Sequence, residues 1–257
     1  MSTLQTIVDR KAEDLAVRRR ERPLRSLTET PQFALPRRDF AASLARPGRR
    51  VVAEVKRSSP SLGRIRDDFD PVAIAMGYAD AGAAGISVLT EERFFEGSLD
   101  YLAAIRECVD VPLLRKDFLF EPYQIYEARA YGADAFLLIA AILRTEIIRE
   151  LVALGRELGL TALVEVHTAE QLERSLAADA TLIGINNRDL DTFVTRLETG
   201  LELVGKVPAG RTVVIESGLK TAADLARFEQ AGVHAFLIGE TFMRAADPGA
   251  ALREMLA

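Results

Sequence analysis

Val51-Val52-Ala53-Glu54-Val55-Lys56 reads as a short apolar strand that carries, towards its carboxyl end, two charges an apolar strand has no structural use for. Side chains alternate along a strand, so Val52, Glu54 and Lys56 share one face. The same form recurs in Pro112-Leu113-Leu114-Arg115-Lys116, Thr161-Ala162-Leu163-Val164-Glu165, Leu182-Ile183-Gly184-Ile185-Asn186 and Val213-Val214-Ile215-Glu216. A strand inside a parallel sheet is buried on both faces and should be apolar throughout. Polar residues at the carboxyl ends of several such strands are how the catalytic face of a barrel enzyme looks in sequence. Two lysines, three acids and one amide would then converge on a single mouth.

Apolar runs begin near Val51, Gly85, Pro112, Asp134, Thr161, Leu182, Thr212 and Ala235, a spacing suited to repeated βα units. Between them lie amphipathic stretches such as 71–81, 145–158, 169–178 and 222–231. Asp70-Pro71, Thr168 before Glu170-Gln171, and Thr221 before Asp224 are helix-start signals. Gly82, Gly132, Gly159 and Gly232 are placed to stop the helices before them. Eight βα units close most naturally as an α/β fold of the (β/α)8 TIM-barrel class, and 257 residues suit one such domain. A doubly wound sheet is the weaker reading, because Lys56-Arg57-Ser58-Ser59-Pro60 is not the Gly-rich turn its first strand requires. Residues 1–50 fall outside the repeat. Leu4, Ile7, Val8, Lys11 and Leu15 recur at helical spacing, and Pro23, Pro31, Pro36 and Pro47 then break the segment. The expected organisation is one domain over 1–257, with 1–50 an N-terminal helical extension packed on the barrel.

Composition narrows the function classes. The chain is 49% apolar and 28% charged, as in ordinary globular proteins. Its single cysteine, Cys108, permits no internal disulfide, fits a reducing compartment and is expected to pack within a helix. The longest apolar run, 135–143, is too short for a membrane span, and the amino terminus lacks the apolar core of a signal peptide. The expected location is cytoplasmic. Net charge is −5, yet residues 1–50 hold 12 Lys and Arg against 6 Asp and Glu, so the remainder carries −11. The basic cluster Arg18-Arg19-Arg20, Arg22, Arg25 has no aromatic platform beside it, which argues against nucleic acid. A basic arm beside a site for an anionic small molecule is the better reading. It predicts that a chain lacking residues 1–40 folds but turns over poorly.

A second signal points to phosphate. Glu216-Ser217-Gly218 follows the seventh run; Gly239 and Glu240, at the start of a short helix, follow the eighth. Glycines there let backbone N–H groups approach an anion, and barrel enzymes often bind phosphate after these two strands. His167 begins a helix and His234 sits in a turn at the far end, so neither is expected to carry chemistry. No cluster of His and Cys suggests a metal. Arg115 and Asp117 flank Lys116 on the opposite face and should pair with helices.

Glu54-Val55-Lys56-Arg57-Ser58-Ser59-Pro60-Ser61, Leu114-Arg115-Lys116-Asp117-Phe118, Leu163-Val164-Glu165-Val166-His167, Gly184-Ile185-Asn186-Asn187-Arg188-Asp189-Leu190 and Glu216-Ser217-Gly218 together resemble the indole-3-glycerol-phosphate synthase family of tryptophan biosynthesis. The likeness runs from about residue 3 to the end. It implies a carboxy-lyase without a cofactor that closes a ring on 1-(2-carboxyphenylamino)-1-deoxyribulose 5-phosphate, with loss of CO2 and water. By similarity Lys116 protonates the ribulose carbonyl, Lys56 binds anionic groups and assists departure of hydroxide, and Glu165 is the partner acid or base. Glu54 would tune the lysines, Asn186 would fix hydroxyl or carboxylate groups, and Glu216 would line the ribulose. Ser59, Ser217, Gly218 and Gly239 would take the phosphate, with Arg188 and Leu237 also contacting substrate and Phe118 stacking on the anthranilate ring. Many relatives have a small polar residue where this chain has Glu240, so only its backbone N–H is expected to donate. The partner implied is a small phosphosugar, with no nucleic acid or membrane; the expected assembly is a monomer, a homodimer being the alternative. Two other readings stay open. One is a different phosphosugar barrel enzyme such as phosphoribosylanthranilate isomerase, which needs a Cys/Asp pair. The other is a non-catalytic barrel that binds a sugar phosphate.

Overall fold

In the computed structural model, which describes residues 3–189 and 192–257, the eight apolar runs become eight parallel strands. They are β1 (Arg50–Val55), β2 (Gly85–Leu89), β3 (Leu113–Lys116), β4 (Ala135–Ile139), β5 (Thr161–Val166), β6 (Leu182–Asn186), β7 (Thr212–Glu216) and β8 (Ala235–Ile238). Each pairs with its neighbour, and β1 pairs with both β2 and β8, so the sheet closes into a barrel. Closure leaves no strand edge. It also brings every carboxyl end to one rim, because all the pairs are parallel. Leu190, the last residue of the Gly184–Leu190 motif, lies outside the described residues.

Helices fill the intervals where periodicity places them. After α1 (Thr3–Glu21), α2 (Leu24–Thr28), α3 (Pro31–Ala34) and α4 (Phe40–Leu44) come α5 (Pro71–Asp80), α6 (Leu99–Cys108) and α7 (Pro122–Ala130). They are followed by α8 (Thr145–Glu157), α9 (Ala169–Ala177), α10 (Leu197–Val204), α11 (Ala222–Glu229), α12 (Glu240–Met243) and α13 (Pro248–Leu256). The expected caps form. The Asp70 carboxylate accepts from Val72 N and Ala73 N at 3.0 Å each, Thr168 accepts from Gln171 N, and Thr221 with Asp224 makes a capping box. Gly82, Gly132, Gly159 and Gly232 all have positive φ just past a helix end. Among the described residues no helix is long and apolar enough to cross a membrane. Cys108 is exposed at the end of α6, so the expected packing role is not observed; it falls on the helix's outward side.

The extension packs on the barrel along α7 and at two further places. At the amino-terminal end of the strands, Phe40 and Leu44 of α4 are buried in the same apolar cluster as the inward-facing Val52, Leu114 and Ala135. A Cβ built on Gly85, the first residue of β2, would lie 2.8 Å from the Phe40 ring. Phe40 is thus the stopper of the barrel's lower end. Helix α1 buries Ile7, Lys11 and Leu15, a spacing of four that makes one helical stripe. Its basic cluster is also more tightly bound than charge alone implies. Arg18 pairs with Glu92 and Glu127, and Arg19 with Glu121. Removing residues 1–40 would therefore take away part of the barrel's own core along with the basic charges, so such a chain is expected to lose stability as well as turnover. Phe40→Ala should cost about 3–5 kcal/mol in urea unfolding, as for other buried Phe truncations. A loss below about 1 kcal/mol would show that the lower end closes without it.

Candidate active site

Alternation in the strands turns the predicted residues inward. Val52, Leu114, Leu163 and Val214 belong to one apolar cluster with Leu137, Ile139 and Leu237. One step further along, Glu54, Lys56, Lys116, Glu165, Asn186 and Glu216 all line a cavity of about 930 Å³ at the carboxyl ends. The register brings Asn186 beside Glu216, and Glu216 beside Leu237.

Lys116 is the hub. Its Nζ lies 2.6 Å from Glu216 Oε2, 3.7 Å from Glu54 Oε2 and 3.8 Å from Glu165 Oε2. Glu54 divides its two oxygens between the lysines, with Oε1 2.6 Å from Lys56 Nζ. Burial lowers the Lys116 pKa, but the three carboxylates outweigh it and hold the ammonium above the ordinary lysine range. Burial likewise opposes ionisation of Glu54, and the charges of Lys56 and Lys116 overcome it, so this carboxyl is lowered. Glu216 goes the other way. Burial, with repulsion from Glu165 and Glu54, exceeds the pull of Lys116 and pushes it up to about 7.

Two glycines make this crowding possible. A Cβ on Gly184 of β6 would collide with Glu216 Oε1, and one on Gly239, just past β8, with the Glu54 carboxylate. Gly239 therefore has a steric task beside any part in phosphate binding. Glu165 Oε1 and Glu216 Oε1 are buried without a protein hydrogen-bond partner, as expected of acceptors that meet a ligand's donors.

The end of the cavity where phosphate is expected is shaped by backbone. Ser217 and Gly218 both have positive φ, 65° and 79°. A Cβ on Gly218 would lie 2.6 Å from Thr195 Cγ2, so glycine is required there on both counts. Asn187, which sequence reasoning left without a role, donates from its side chain to the Ser217 carbonyl at 3.0 Å and so fixes this turn. Thr241 of α12 donates to the Leu219 carbonyl at 2.7 Å, tying the loop after β7 to the residues after β8. Ser59 reaches the cavity on a two-residue hairpin, Ser58–Ser59 against Gly63–Arg64.

The Glu240 carboxylate is not an unopposed negative charge: Arg188 binds it at 3.0 Å and Arg244 at 3.2 Å. Burial opposes its ionisation and these guanidiniums prevail, lowering its pKa. Arg188 also donates to Ser61 Oγ at 2.9 Å, and its backbone N–H donates to Asn186 Oδ1.

Phe118 and Leu237 line the apolar side, together with Leu89 and Ile139. Sequence reasoning missed Phe95 there; its ring tilts against Phe118 at a centroid distance of 6.1 Å. It comes from the loop after β2, where no periodicity marks an inward residue. Arg244 was missed for the same reason. His167 sits closer than expected, with Nε2 3.5 Å from Glu165 Oε1, since residues 165 and 167 share a strand face. The contact is not a hydrogen bond, and burial lowers the imidazole pKa and so favours its neutral form. Arg115 and Asp117 face away from the mouth and pair with α7 and α1 respectively, as expected. Among the described residues no group of His, Cys, Asp and Glu is arranged to hold a metal.

At the bottom of the mouth three buried acids face two lysines, one negative charge in excess there, and Glu216 carries the consequence. A carboxyl whose folded pKa is raised keeps its proton in the folded state between about 4.5 and about 7, where the unfolded chain has released it. Stability must therefore fall as pH rises through that window. Glu216→Gln, whose amide oxygen still accepts from Lys116, should escape the loss. In urea unfolding it should match the parent near pH 4.5 and exceed it near pH 8 by on the order of 1 kcal/mol. A variant less stable than the parent at pH 8 would refute this charge balance.

Similarity to known proteins agrees with the geometry. A family model described as indole-3-glycerol phosphate synthase matches residues 4–255. The chain is 49% identical to the indole-3-glycerol phosphate synthase of Laribacter hongkongensis, over 99% of this chain and 98% of that one. It is 48% identical to that of Acidithiobacillus ferrooxidans, over 98% and 97%. Among solved structures, 3-hexulose-6-phosphate synthase from Salmonella typhimurium superposes with a TM-score of 0.65 at 12% identity, covering 80% of this chain and 96% of that one. KGPDC from Streptococcus mutans gives 0.63 at 18%, over 80% and 94%. These two show the shared barrel. With a family model over residues 4–255 and identities of 48–49% over nearly the full length of both chains, the chain belongs to the indole-3-glycerol phosphate synthase family.

Proposed function

We propose that the mouth converts 1-(2-carboxyphenylamino)-1-deoxyribulose 5-phosphate into indole-3-glycerol phosphate, CO2 and water, the ring-closing step of tryptophan biosynthesis, in the cytoplasm. The observation that carries the division of labour is the Lys116 ammonium held among Glu54, Glu165 and Glu216 at the bottom of a cavity with an apolar wall and a glycine-built end. The Ser217–Gly218 turn and the residue 239–240 amides take the phosphate. Phe118, Leu89 and Ile139 take the anthranilate ring. The ribulose chain between them then crosses Lys116.

Ring closure moves an electron pair from the aromatic carbon bearing the carboxylate to the ribulose carbonyl carbon. The carbonyl oxygen gains the charge. A lysine with a raised pKa is fully protonated at neutral pH, and an oxygen becoming an alkoxide is more basic than an amine. The Lys116 proton is therefore transferred downhill as the bond forms. Loss of CO2 returns electrons to the ring system. Departure of the new hydroxyl as water needs another proton, which Lys56 supplies, and rearomatisation needs a base, which Glu165 supplies. Asn186 and Glu216 hold the ribulose hydroxyls, and Glu54 bridges the two lysines.

Cys108 bears on the alternatives: on α6 and exposed, it is absent from the cavity, so the Cys/Asp pair needed for phosphoribosylanthranilate isomerisation is not assembled. Turnover of the carboxyphenylamino substrate, followed by indole absorbance, separates the proposed reaction from isomerisation and from mere binding. Lys116→Met keeps the stem and removes the proton, so kcat should fall by at least about 10²-fold with little change in KM. Glu165→Gln should follow the same pattern, while His167→Asn stays near the parent value. An inactive His167→Asn beside a competent Lys116→Met would overturn the assignment.

A further inference from the structure

Behind Lys116, on the outer side of β3, lies a second buried ionic cluster that the chemistry above does not use. The barrel contributes Asp117, Arg115 and, from α7, Glu127; Arg115 binds both acids, at 3.2 and 2.8 Å. Glu91 faces the same group; burial and then repulsion from Asp117 raise its pKa, while three backbone N–H groups of residues 93–95 hold it. Three acids against one guanidinium would leave the barrel with uncompensated buried charge. Helix α1 supplies what is missing. Its Lys11, 3% exposed, reaches Asp117 Oδ2 at 2.7 Å, and its Arg18 reaches Glu127 at 3.3 Å.

Asp117 also controls the geometry of the residues on either side of it. Its Oδ1 accepts from the Phe118 backbone N–H at 2.8 Å. Its Oδ2 accepts from Thr90 Oγ1 at 2.7 Å, and the Thr90 backbone N–H donates to the Lys116 carbonyl at 3.0 Å. One carboxylate thus holds the turn that aims Lys116 and Phe118, and the extension holds that carboxylate.

We infer that Lys11 is a positioning residue: by neutralising Asp117 it locks the 116–118 turn, so that the N-terminal helix sets the aim of the proton donor although it does not reach the reacting atoms. The inference rests on Lys116 being that donor. A charge on the extension that merely attracted the substrate would act on KM; a lock on the turn acts on kcat.

The test compares Lys11→Met, Lys11→Arg and Thr90→Val, each alone and with Lys116→Met, well below the unfolding midpoint. Lys11→Met should lower kcat about tenfold or more with KM nearly unchanged, and Lys11→Arg should recover most of the loss. Thr90→Val keeps volume and removes the hydroxyl's two bonds, its donation to Asp117 Oδ2 and its acceptance from Arg115 Nε, while leaving Lys11 in place, so it reports the same effect in smaller size if Lys11→Met fails to fold. In the Lys116→Met background either change should lower kcat far less than in the parent, because the proton donor being aimed is gone. Normal kcat in folded Lys11→Met, or in Thr90→Val where Lys11→Met does not fold, would overturn the inference. So would an undiminished loss in the Lys116→Met background. Parent turnover of the substrate and the effect of Lys116→Met alone test the functional reading separately, so the two failures are distinguishable.

Discussion

The mouth depends on one arrangement, an ammonium surrounded by three carboxylates inside a closed ring of strands. None of these charges would be tolerated alone at such depth. Together they are a chain of contacts in which each acid has a lysine to face and Lys116 has three acids. The ring of strands is what makes this possible, because closure carries residues from β1, β3, β5 and β7 to within a few ångströms although they are far apart in sequence. Gly184 and Gly239 then leave the space that the carboxylates of Glu216 and Glu54 occupy. Any side chain at either glycine would push an acid out of the network and leave Lys116 with fewer partners.

β3 shows how much one short strand can be asked to do. Lys116 faces the cavity, while Arg115 and Asp117, its immediate neighbours, face the opposite way into a buried ionic frame. Alternation puts chemistry on one face and its support on the other, with a single peptide unit between them. The cluster on the outer face is rigid for the reason the inner one is: displacement of any member would strand a charge without water. Rigidity at Asp117 passes to Lys116 through the backbone, with no side-chain contact needed.

Much of this was legible in the residue order. Eight apolar runs with helices between them specify the barrel, and polar residues at i and i+2 near the ends of runs specify the direction they point. The caps at Asp70, Thr168 and Thr221 could be read because an N-cap is a local event, decided within three residues. What could not be read was set by long-range packing. Phe40 looks like any aromatic residue in a proline-broken segment until the barrel presents an open lower end for it to fill. Phe95 and Arg244 reach the cavity from loops, where no period fixes direction. Lys11 reads as one more position in a helical stripe, and only the tertiary structure shows that its partner lies 106 residues away. His167 shows the converse: alternation from Glu165 would have given its face, but its place at the start of the Thr168 helix drew the reading away.

The excess of acid at the bottom of the mouth raises a question, since the proposed ligand carries a phosphate and a carboxylate. Depth supplies the answer. The side chains of Glu54, Glu165 and Glu216 are only 4%, 3% and 1% exposed, whereas those of Lys56 and Lys116 are 16% and 17% exposed. Arg188, Arg244 and Lys220 also line the cavity, and Glu240 is covered by two guanidiniums. A ligand entering from solvent meets cations first, and the acids lie behind them at distances where the lysines screen their charge. The same layering separates the tasks of binding and proton transfer. In the proposed reaction the outer cations and backbone amides would hold fixed negative groups, while the inner acids keep Lys116 protonated until an oxygen of the ligand becomes basic enough to take the proton. A site built in the reverse order, with acids outermost, would repel its substrate before the lysines could act.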